Sequence, residues 1–242
     1  MDNKILMLSL SRSGHHAVAE WICGQLDGSV LFLNNCTKGW EDGAMIPYSK
    51  KKENYDNDGD GQSEMFTLET FDMDNFQKYK MGDRGFTMVV LVIRDIYNWV
   101  ASCFKIGGEG KGQVVSPFDD ERGDRKLSTI CLWKKQAKQI INQNVSESIF
   151  PILYDKWFES KEYRDEIANT IGFSNTDKGI MTVSQYGWGS SFDGFSYQGY
   201  ASRMDVLNRW KLFVKDQEYI KMFDEECHDL NEQLFGVREP WK

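Results

Sequence analysis

The sequence predicts an α/β protein of three layers, α/β/α, in which helices cover both faces of a central, mainly parallel sheet. Two observations carry this prediction. The run Met88–Ile93 (MVVLVI) is apolar on both faces, as the buried strands of a parallel sheet are. The clearest apolar runs also lead through a short turn into a helical pattern, which is the order of a right-handed strand–helix–strand crossover.

The first such unit opens the chain. Ile5–Leu8 is predicted as a buried strand, His15–Leu26 as a helix and Val30–Leu33 as the next strand. The helix has an apolar stripe near the 3.6-residue period, and Gly28 follows it.

The remaining elements are predicted from the same patterns. Strands are expected at Met65–Leu68, Met88–Ile93 and Ile149–Tyr154, and helices at Ile96–Phe104, Leu127–Asn142 and Tyr163–Ile171. The stretch Val206–Leu234 is expected to be one amphipathic helix or a pair of helices. The Gly-rich stretches Gly107–Gly123 and Ser184–Tyr200 are expected to be loops. The length fits a single domain, 1–242.

Residues 37–64 are predicted to be a surface insertion in that domain, because Lys50–Lys52 and the acidic run Asp56–Gly61 leave almost nothing apolar to bury. The run DNDGDG matches the opening of a calcium-binding loop. Thr67 stands where such a loop needs a bidentate Glu, so an acidic surface loop is the favoured interpretation.

Composition excludes several classes. Lys and Arg number 29 against 37 Asp and Glu, a net charge of −8, which argues against a nucleic-acid partner. The sequence shows no secretory signal and no apolar run of the roughly 20 residues that a membrane span needs. The five cysteines lack CxxC spacing and lie far from the three histidines, so we expect reduced thiols, a cytoplasmic location and no metal site.

The turn after the first strand has the residues of an anion site. Ser11, Ser13 and Gly14 allow close approach of the backbone, Arg12 adds a fork of donors, and the positive end of the helix dipole lies at the same place. A simple turn without a ligand remains the alternative.

A nucleoside triphosphatase loop would need GxxxxGK followed by Ser or Thr. In this chain Ser9 stands at the first glycine, and His15 and His16 replace the Lys and the hydroxyl residue. A magnesium-dependent triphosphatase is therefore disfavoured.

The turn Ser11–His16 (SRSGHH) resembles the 5′-phosphosulfate loop of sulfotransferases, P-K-S-G-T-T or P-R-S-G-T-T. The resemblance implies a P-loop NTPase-like sulfotransferase fold and the co-substrate 3′-phosphoadenosine 5′-phosphosulfate, with no metal. It also implies that Arg12, Ser13, Gly14, His15 and His16 bind the 5′-phosphate and sulfuryl group, and that Arg12 stabilises the charge of the transition state.

A second motif follows the strand Met88–Ile93. The stretch RDIYNWVAS is similar to the family's R-D-P-x-x-x-x-x-S, with Arg94 and Ser102 at the same separation. In the family these two residues bind the 3′-phosphate. An Arg at the carboxyl end of a parallel strand also lies where open α/β sheets bind ligands. A local Arg94–Asp95 ion pair is the alternative.

Weaker similarities continue towards the C-terminus. Tyr154, in LYDKW, resembles the Tyr of the family's Y-E-D-L, which implies a place near the adenine. Arg203 precedes Trp210 and Lys211 as in the family's R-K-G…W-K, which implies a contact with the 3′-phosphate, although Met204 and Asp205 depart from that pattern. Core packing and a solvated charge are the alternatives for these two residues.

The implied reaction also needs a general base near the acceptor. Glu69, after the strand Met65–Leu68, is the first candidate, with Asp72 and His16 as alternatives. A solvated surface carboxylate is the other interpretation of Glu69. The acceptor is expected to be a small molecule or a glycan. Two other functions stay open: a nucleotide or nucleoside kinase-like phosphotransferase, and a non-catalytic nucleotide-binding protein.

Overall fold

The structure is a computed structural model, and it describes residues 3–26, 28–38, 46–54, 62–69, 85–107, 129–142, 149–185 and 189–242. Within these ranges the strands are, in chain order, β1 (Lys4–Ser9), β2 (Ser29–Lys38), β3 (Ile46–Asn54), β4 (Gln62–Glu69), β5 (Met88–Ile93) and β6 (Ile149–Leu153). The helices are α1 (His15–Cys23), α2 (Ile96–Gly107), α3 (Thr129–Ile141), α4 (Tyr154–Glu159), α5 (Lys161–Thr170), α6 (Gln217–Ile220) and α7 (Glu225–Phe235), with 3-10 turns at Ala201–Arg203 and Arg209–Leu212.

The strands form one sheet of order β3-β2-β4-β1-β5-β6. All neighbouring pairs from β2 to β6 are parallel, and β3 pairs antiparallel with β2 at one edge. The predicted mainly parallel sheet is confirmed. Strands β2 to β4 lie on one side of β1, and β5 and β6 lie on the other. The strand order therefore reverses at β1. Open α/β sheets bind ligands at such a point, beside the carboxyl ends of the strands.

The core lies on both faces of this sheet. In β1, Ile5 and Met7 belong to a buried cluster that includes Trp21 of α1, whereas Leu6 and Leu8 belong to a second cluster against which Ile140 of α3 packs. This alternation is that of a strand buried on both sides. Helices therefore cover both faces, which confirms the three layers that the sequence predicts.

Three segments depart in part from the predicted elements. Tyr154, predicted as the end of a strand, begins the helix α4, which was not predicted. Within the predicted insertion, Ile46–Asn54 forms the edge strand β3, and β2 extends to Lys38, while residues 39–45 and the acidic run 56–61 lie outside the described residues. The stretch Val206–Leu234, predicted as one helix or a pair, forms a 3-10 turn and the two helices α6 and α7. The division follows from Asp216 and Asp224, whose side chains cap α6 and α7 and so begin new helices.

Within the described parts of the chain, no helix combines the length and apolar character that crossing a membrane requires.

Candidate active site

The side chains that the sequence singles out gather at one edge of the sheet. The loop from Ser11 follows β1, Glu69 ends β4, Arg94 follows β5, and Tyr154 follows β6. These four strands are parallel neighbours, so their carboxyl ends meet at the same edge. Together these segments line a cavity that encloses about 910 Å³ of empty space, including its mouth.

The loop between β1 and α1 is shaped by two residues of left-handed conformation, Arg12 (φ 68°) and Gly14 (φ 84°). Positive φ is uncommon in a residue with a side chain, because it costs free energy. The residues that nevertheless adopt it are concentrated at functional sites. The carbonyl of Ser11 accepts a hydrogen bond from Trp99 Nε1 at 2.8 Å, which fixes the loop against α2.

Gly14 is required at its position for a second reason. A Cβ atom on Gly14 would lie 2.2 Å from Cε2 of Tyr154, well inside contact distance. Tyr154 is buried and its ring closes against the loop. The glycine of the loop and Tyr154 therefore pack directly against each other.

The amino end of α1 has no side-chain cap: Gly14 is its N-cap residue. In contrast, α5 to α7 are each capped by a Ser or Asp side chain. An uncapped helix start with a Gly turn presents backbone N–H groups and the positive end of the helix dipole, which is the arrangement that binds phosphate or sulfate. Ser11, Arg12, Gly14, His15 and His16 line the cavity at this end.

Ser13 differs from its neighbours in the loop. Its N–H donates to the carbonyl of Leu10 at 3.1 Å, and the residue is buried away from the cavity lining. Among the described residues its Oγ has no hydrogen-bond partner.

Two buried arginines form a second cationic region of the cavity. Arg94 donates to Ser102 Oγ at 3.1 Å and to the carbonyl of Val206 at 2.6 Å, and its guanidinium lies 5.0 Å from the ring centre of Tyr154. Arg209 also donates to Ser102 Oγ, at 3.4 Å. In both arginines the buried Nε has no hydrogen-bond partner within the described ranges.

Ser102 holds the two arginines rather than facing the cavity. Its hydroxyl donates to the carbonyl of Asn98 at 3.0 Å and accepts from both guanidinium groups. Arg94 also reaches the carbonyl of Arg12 at 3.5 Å, which links this region to the loop of the first strand.

Arg203 lies away from this cluster. It is exposed, and its guanidinium lies over the ring of Tyr200 at 5.3 Å rather than in the cavity lining. Arg209, which sequence reasoning missed, stands beside Ser102 where Arg203 was expected. Its position directly before Trp210, in the stretch that resembles the family's R-K-G…W-K, is the sequence feature that could have identified Arg209.

Glu69 lies on the other side of the loop, against the two histidines. Its Oε1 is 3.4 Å from Nε2 of His15 and 3.6 Å from Nε2 of His16. Burial would raise the pKa of Glu69, but the contacts with His15, His16 and Ser11 outweigh burial and lower the pKa to about 2. Glu69 is therefore ionised at neutral pH. Its alternative as a base, Asp72, lies outside the described residues.

The imidazole of His16 is neutral at the same pH. Burial, together with the adjacent His15, lowers the pKa of His16 to about 3, against the opposing effect of Glu69. Nε2 of His16 lies 2.9 Å from Oδ1 of Asn34, and that oxygen also accepts from Thr67 Oγ1 at 3.0 Å.

Comparison with known proteins places the chain beside two solved structures. Neither a protein-family model nor a curated protein matches the sequence. The mouse sulfotransferase SULT7A1 complexed with PAP aligns at 12% identity and a TM-score of 0.48, over 99% of this chain and 87% of that one. The sulfotransferase domain from the curacin biosynthetic pathway aligns at 13% identity and a TM-score of 0.42, over 97% and 98% of the two chains.

Proposed function

We propose that the protein is a sulfotransferase that binds 3′-phosphoadenosine 5′-phosphosulfate and transfers its sulfuryl group to a hydroxyl or amine of an acceptor. One observation carries the proposal: a single cavity is lined by two separate groups of anion-attracting donors, the uncapped start of α1 and the buried pair Arg94 and Arg209. A nucleotide with anionic groups at both the 5′ and the 3′ position requires two such regions. A nucleoside triphosphate carries its phosphates in one chain.

In this proposal the loop Ser11–His16 binds the 5′-phosphosulfate, and Arg94 and Arg209 bind the 3′-phosphate. Their unpaired Nε atoms support this role, because a buried donor without an acceptor is costly and a phosphate oxygen would supply one. Ser102 positions the two guanidinium groups. Tyr154 packs on Gly14 and on the guanidinium of Arg94, so it sets the distance between the two regions.

The transfer forms a bond between sulfur and the acceptor oxygen and breaks the bond between sulfur and the bridging oxygen of the 5′-phosphate. Negative charge builds on that bridging oxygen, where Arg12 and the start of α1 would stabilise it. The acceptor loses a proton, and Glu69, which lines the cavity beside the phosphate loop, is the candidate to receive it.

The acceptor enters through the part of the cavity that the nucleotide leaves open. Apolar side chains that line the cavity include Ile180, Met204, Trp157 and Phe158. We propose a small molecule or a glycan with an apolar portion as the acceptor class.

Calorimetric titration tests the nucleotide. Wild type should bind 3′-phosphoadenosine 5′-phosphate in the micromolar range and prefer it to both adenosine 5′-monophosphate and ATP–magnesium. Arg94→Lys should weaken the 3′-phosphorylated nucleotide at least tenfold while changing the monophosphate little, because only one of the two ligands has the 3′ group.

Three results would contradict the proposal in different ways. Preference for ATP–magnesium indicates a phosphotransferase, and equal affinity for the two adenosine phosphates removes the 3′-phosphate site. Tight binding of the 3′-phosphorylated nucleotide without transfer to any acceptor of a broad hydroxyl and amine panel indicates a non-catalytic binding protein.

A further inference from the structure

Three side chains of the kinds that bind transition metals meet beside the phosphate loop. They are His15 and His16 at the start of α1 and Glu69 at the end of β4. Each offers one ligand atom, and these atoms all lie within 4.8 Å of one another. Glu69 is paired in register with Ser9 of β1, and α1 begins six residues after Ser9, so the sheet brings the end of β4 beside the start of α1.

The distances in this cluster suit two ligands of one ion better than they suit a hydrogen bond. Glu69 Oε1 lies 3.4 Å from His15 Nε2 and 3.6 Å from His16 Nε2. An N–H···O hydrogen bond is about 2.7–3.2 Å long. Zinc binds imidazole nitrogen and carboxylate oxygen at about 2.0–2.1 Å, so two ligands of a tetrahedral site lie about 3.4 Å apart.

His15 supplies an independent observation. It is 2% exposed and lines the cavity, yet neither of its ring nitrogens makes a hydrogen bond to any described residue. Buried polar atoms of a native structure are nearly always paired, so two buried ring nitrogens without a partner in a residue that lines a cavity point to a ligand there. A metal ion at the cluster would satisfy one of these nitrogens.

Asn34 and Thr67 support the geometry of His16. Asn34 Oδ1 lies 2.9 Å from His16 Nε2 and accepts a hydrogen bond from Thr67 Oγ1 at 3.0 Å. Ligation through Nε2 would replace the contact of His16 with Asn34, and the amide oxygen would keep the bond from Thr67.

We propose that His15, His16 and Glu69 form a binding site for one divalent transition-metal ion with the size and ligand preference of zinc. Two imidazoles and one carboxylate are a ligand set of catalytic zinc sites, which keep a further position open. All three residues line the cavity beside the phosphate loop, so an open position directed into the cavity would accept an oxygen of a small ligand or water. Binding of the ion requires neither the nucleotide nor the transfer reaction.

The site has one consequence that does rest on the proposed function. An acceptor hydroxyl bound to the open position would lose its proton more readily, because a bound cation lowers the pKa of its oxygen ligand. Glu69 would then act as a ligand, and the proton would leave to solvent.

Cobalt(II) is the probe for this site, because its visible absorption reports coordination number and ligand type. The full chain, freed of metal with a chelator, should bind one equivalent of cobalt with the bands of a four- or five-coordinate ion. It should show no thiolate charge-transfer band, and zinc should displace the cobalt. Glu69→Gln and His15→Gln should each weaken binding at least tenfold, since each removes one of three ligands.

His228→Gln is the matched control, because His228 is the third and last histidine of the chain and is hydrogen-bonded to Tyr97 away from the cavity. It should bind cobalt like wild type. Circular dichroism and thermal unfolding verify that each variant is folded. Glu69, at a side-chain exposure of 16%, keeps the test valid if the buried His15 variant does not fold.

Absence of saturable binding, a thiolate charge-transfer band, or equal affinity in wild type and Glu69→Gln would overturn the metal site. Cobalt binding that depends on Glu69, in a protein that fails to bind 3′-phosphoadenosine 5′-phosphate, would keep the metal site and reject the sulfotransferase proposal. The two proposals therefore fail separately.

Discussion

The guanidinium groups of Arg94 and Arg209 meet at one hydroxyl, that of Ser102, at 3.1 and 3.4 Å. Both arginines are buried, and burial together with the nearby Arg94 lowers the pKa of Arg209 to about 10. Asp193 lies 3.3 Å from Arg209 and offsets part of the repulsion. Two desolvated cations around a neutral hydroxyl are costly, so a doubly charged anion beside them would stabilise the pair further.

Arg209 and Arg203 give the first prediction. Arg209→Ala should weaken binding of 3′-phosphoadenosine 5′-phosphate by 10- to 100-fold, because it removes charged hydrogen bonds worth about 1.5–3 kcal/mol. Arg203→Ala should change the affinity less than twofold, since that side chain is exposed and lies over Tyr200. Calorimetry on both variants measures this. The reverse order of effects would return the 3′-phosphate role to Arg203.

The fold could be predicted where apolar pattern determines it. The runs Ile5–Leu8 and Met88–Ile93 are buried on both faces, so their sequence alone indicates central parallel strands. The edge strand β3 was missed because it contains Lys50–Lys52, and a strand paired on only one side needs no continuous apolar run.

The parts of the site that could be predicted are those formed by residues close together in the sequence. Arg12 to His16 and the pair Arg94 and Ser102 are each close in sequence, and each follows a strand that could be identified. The approach of Glu69 to the histidines and the place of Arg209 depend on strand order and on the path of a loop, which no local pattern contains. For the same reason, local sequence patterns do not predict the cluster of His15, His16 and Glu69, because Glu69 is far from the two histidines in the sequence.

Gly14 gives the second prediction. Gly14→Ala should lower the free energy of unfolding by about 2–4 kcal/mol, because it combines an unfavourable positive φ with a clash of Cβ against the Tyr154 ring. Gly172→Ala is the matched control: its φ is 81°, but nothing lies within 4 Å of an added Cβ, so about 1 kcal/mol is expected. Urea unfolding of both variants measures the difference. Equal losses of unfolding free energy in the two variants would mean that the contact between Gly14 and Tyr154 does not contribute to stability.

Asn231 gives the third prediction. This residue is completely buried, donates to Asp95 Oδ2 at 2.8 Å and to the carbonyl of Val237 at 2.9 Å, and accepts from the N–H of Ile96 at 2.9 Å. Asn231→Leu should lower the free energy of unfolding by about 3 kcal/mol or more, because it removes a partner from the buried Asp95 carboxylate and from the buried N–H of Ile96. Thermal and urea unfolding measure the loss. A loss below 1 kcal/mol would show that water reaches these groups.

Asp155 gives the last prediction, which concerns pH. Burial and the neighbouring Asp95 carboxylate, opposed by Arg94, raise the pKa of Asp155 to about 7. Its Oδ2 accepts from the N–H of Asp95 at 2.7 Å, and its Oδ1 is buried without a hydrogen bond to a described residue. A carboxyl whose pKa is higher in the folded state is protonated there, so its contribution is full below its unfolded pKa of about 4.

That contribution should be lost as the pH rises through about 7, because ionising the buried group opposes folding. Asp155→Asn keeps the acceptor for the N–H of Asp95 and cannot ionise. The variant should therefore match wild type near pH 4 and exceed its free energy of unfolding near pH 8, by an amount on the order of 3 kcal/mol. Urea unfolding at intervals across this range measures the difference, and taking the difference removes the titration of groups that the two proteins share. A constant offset between the two curves would mean that Asp155 is ionised in the folded protein throughout, with Arg94 outweighing the effects of burial and of Asp95.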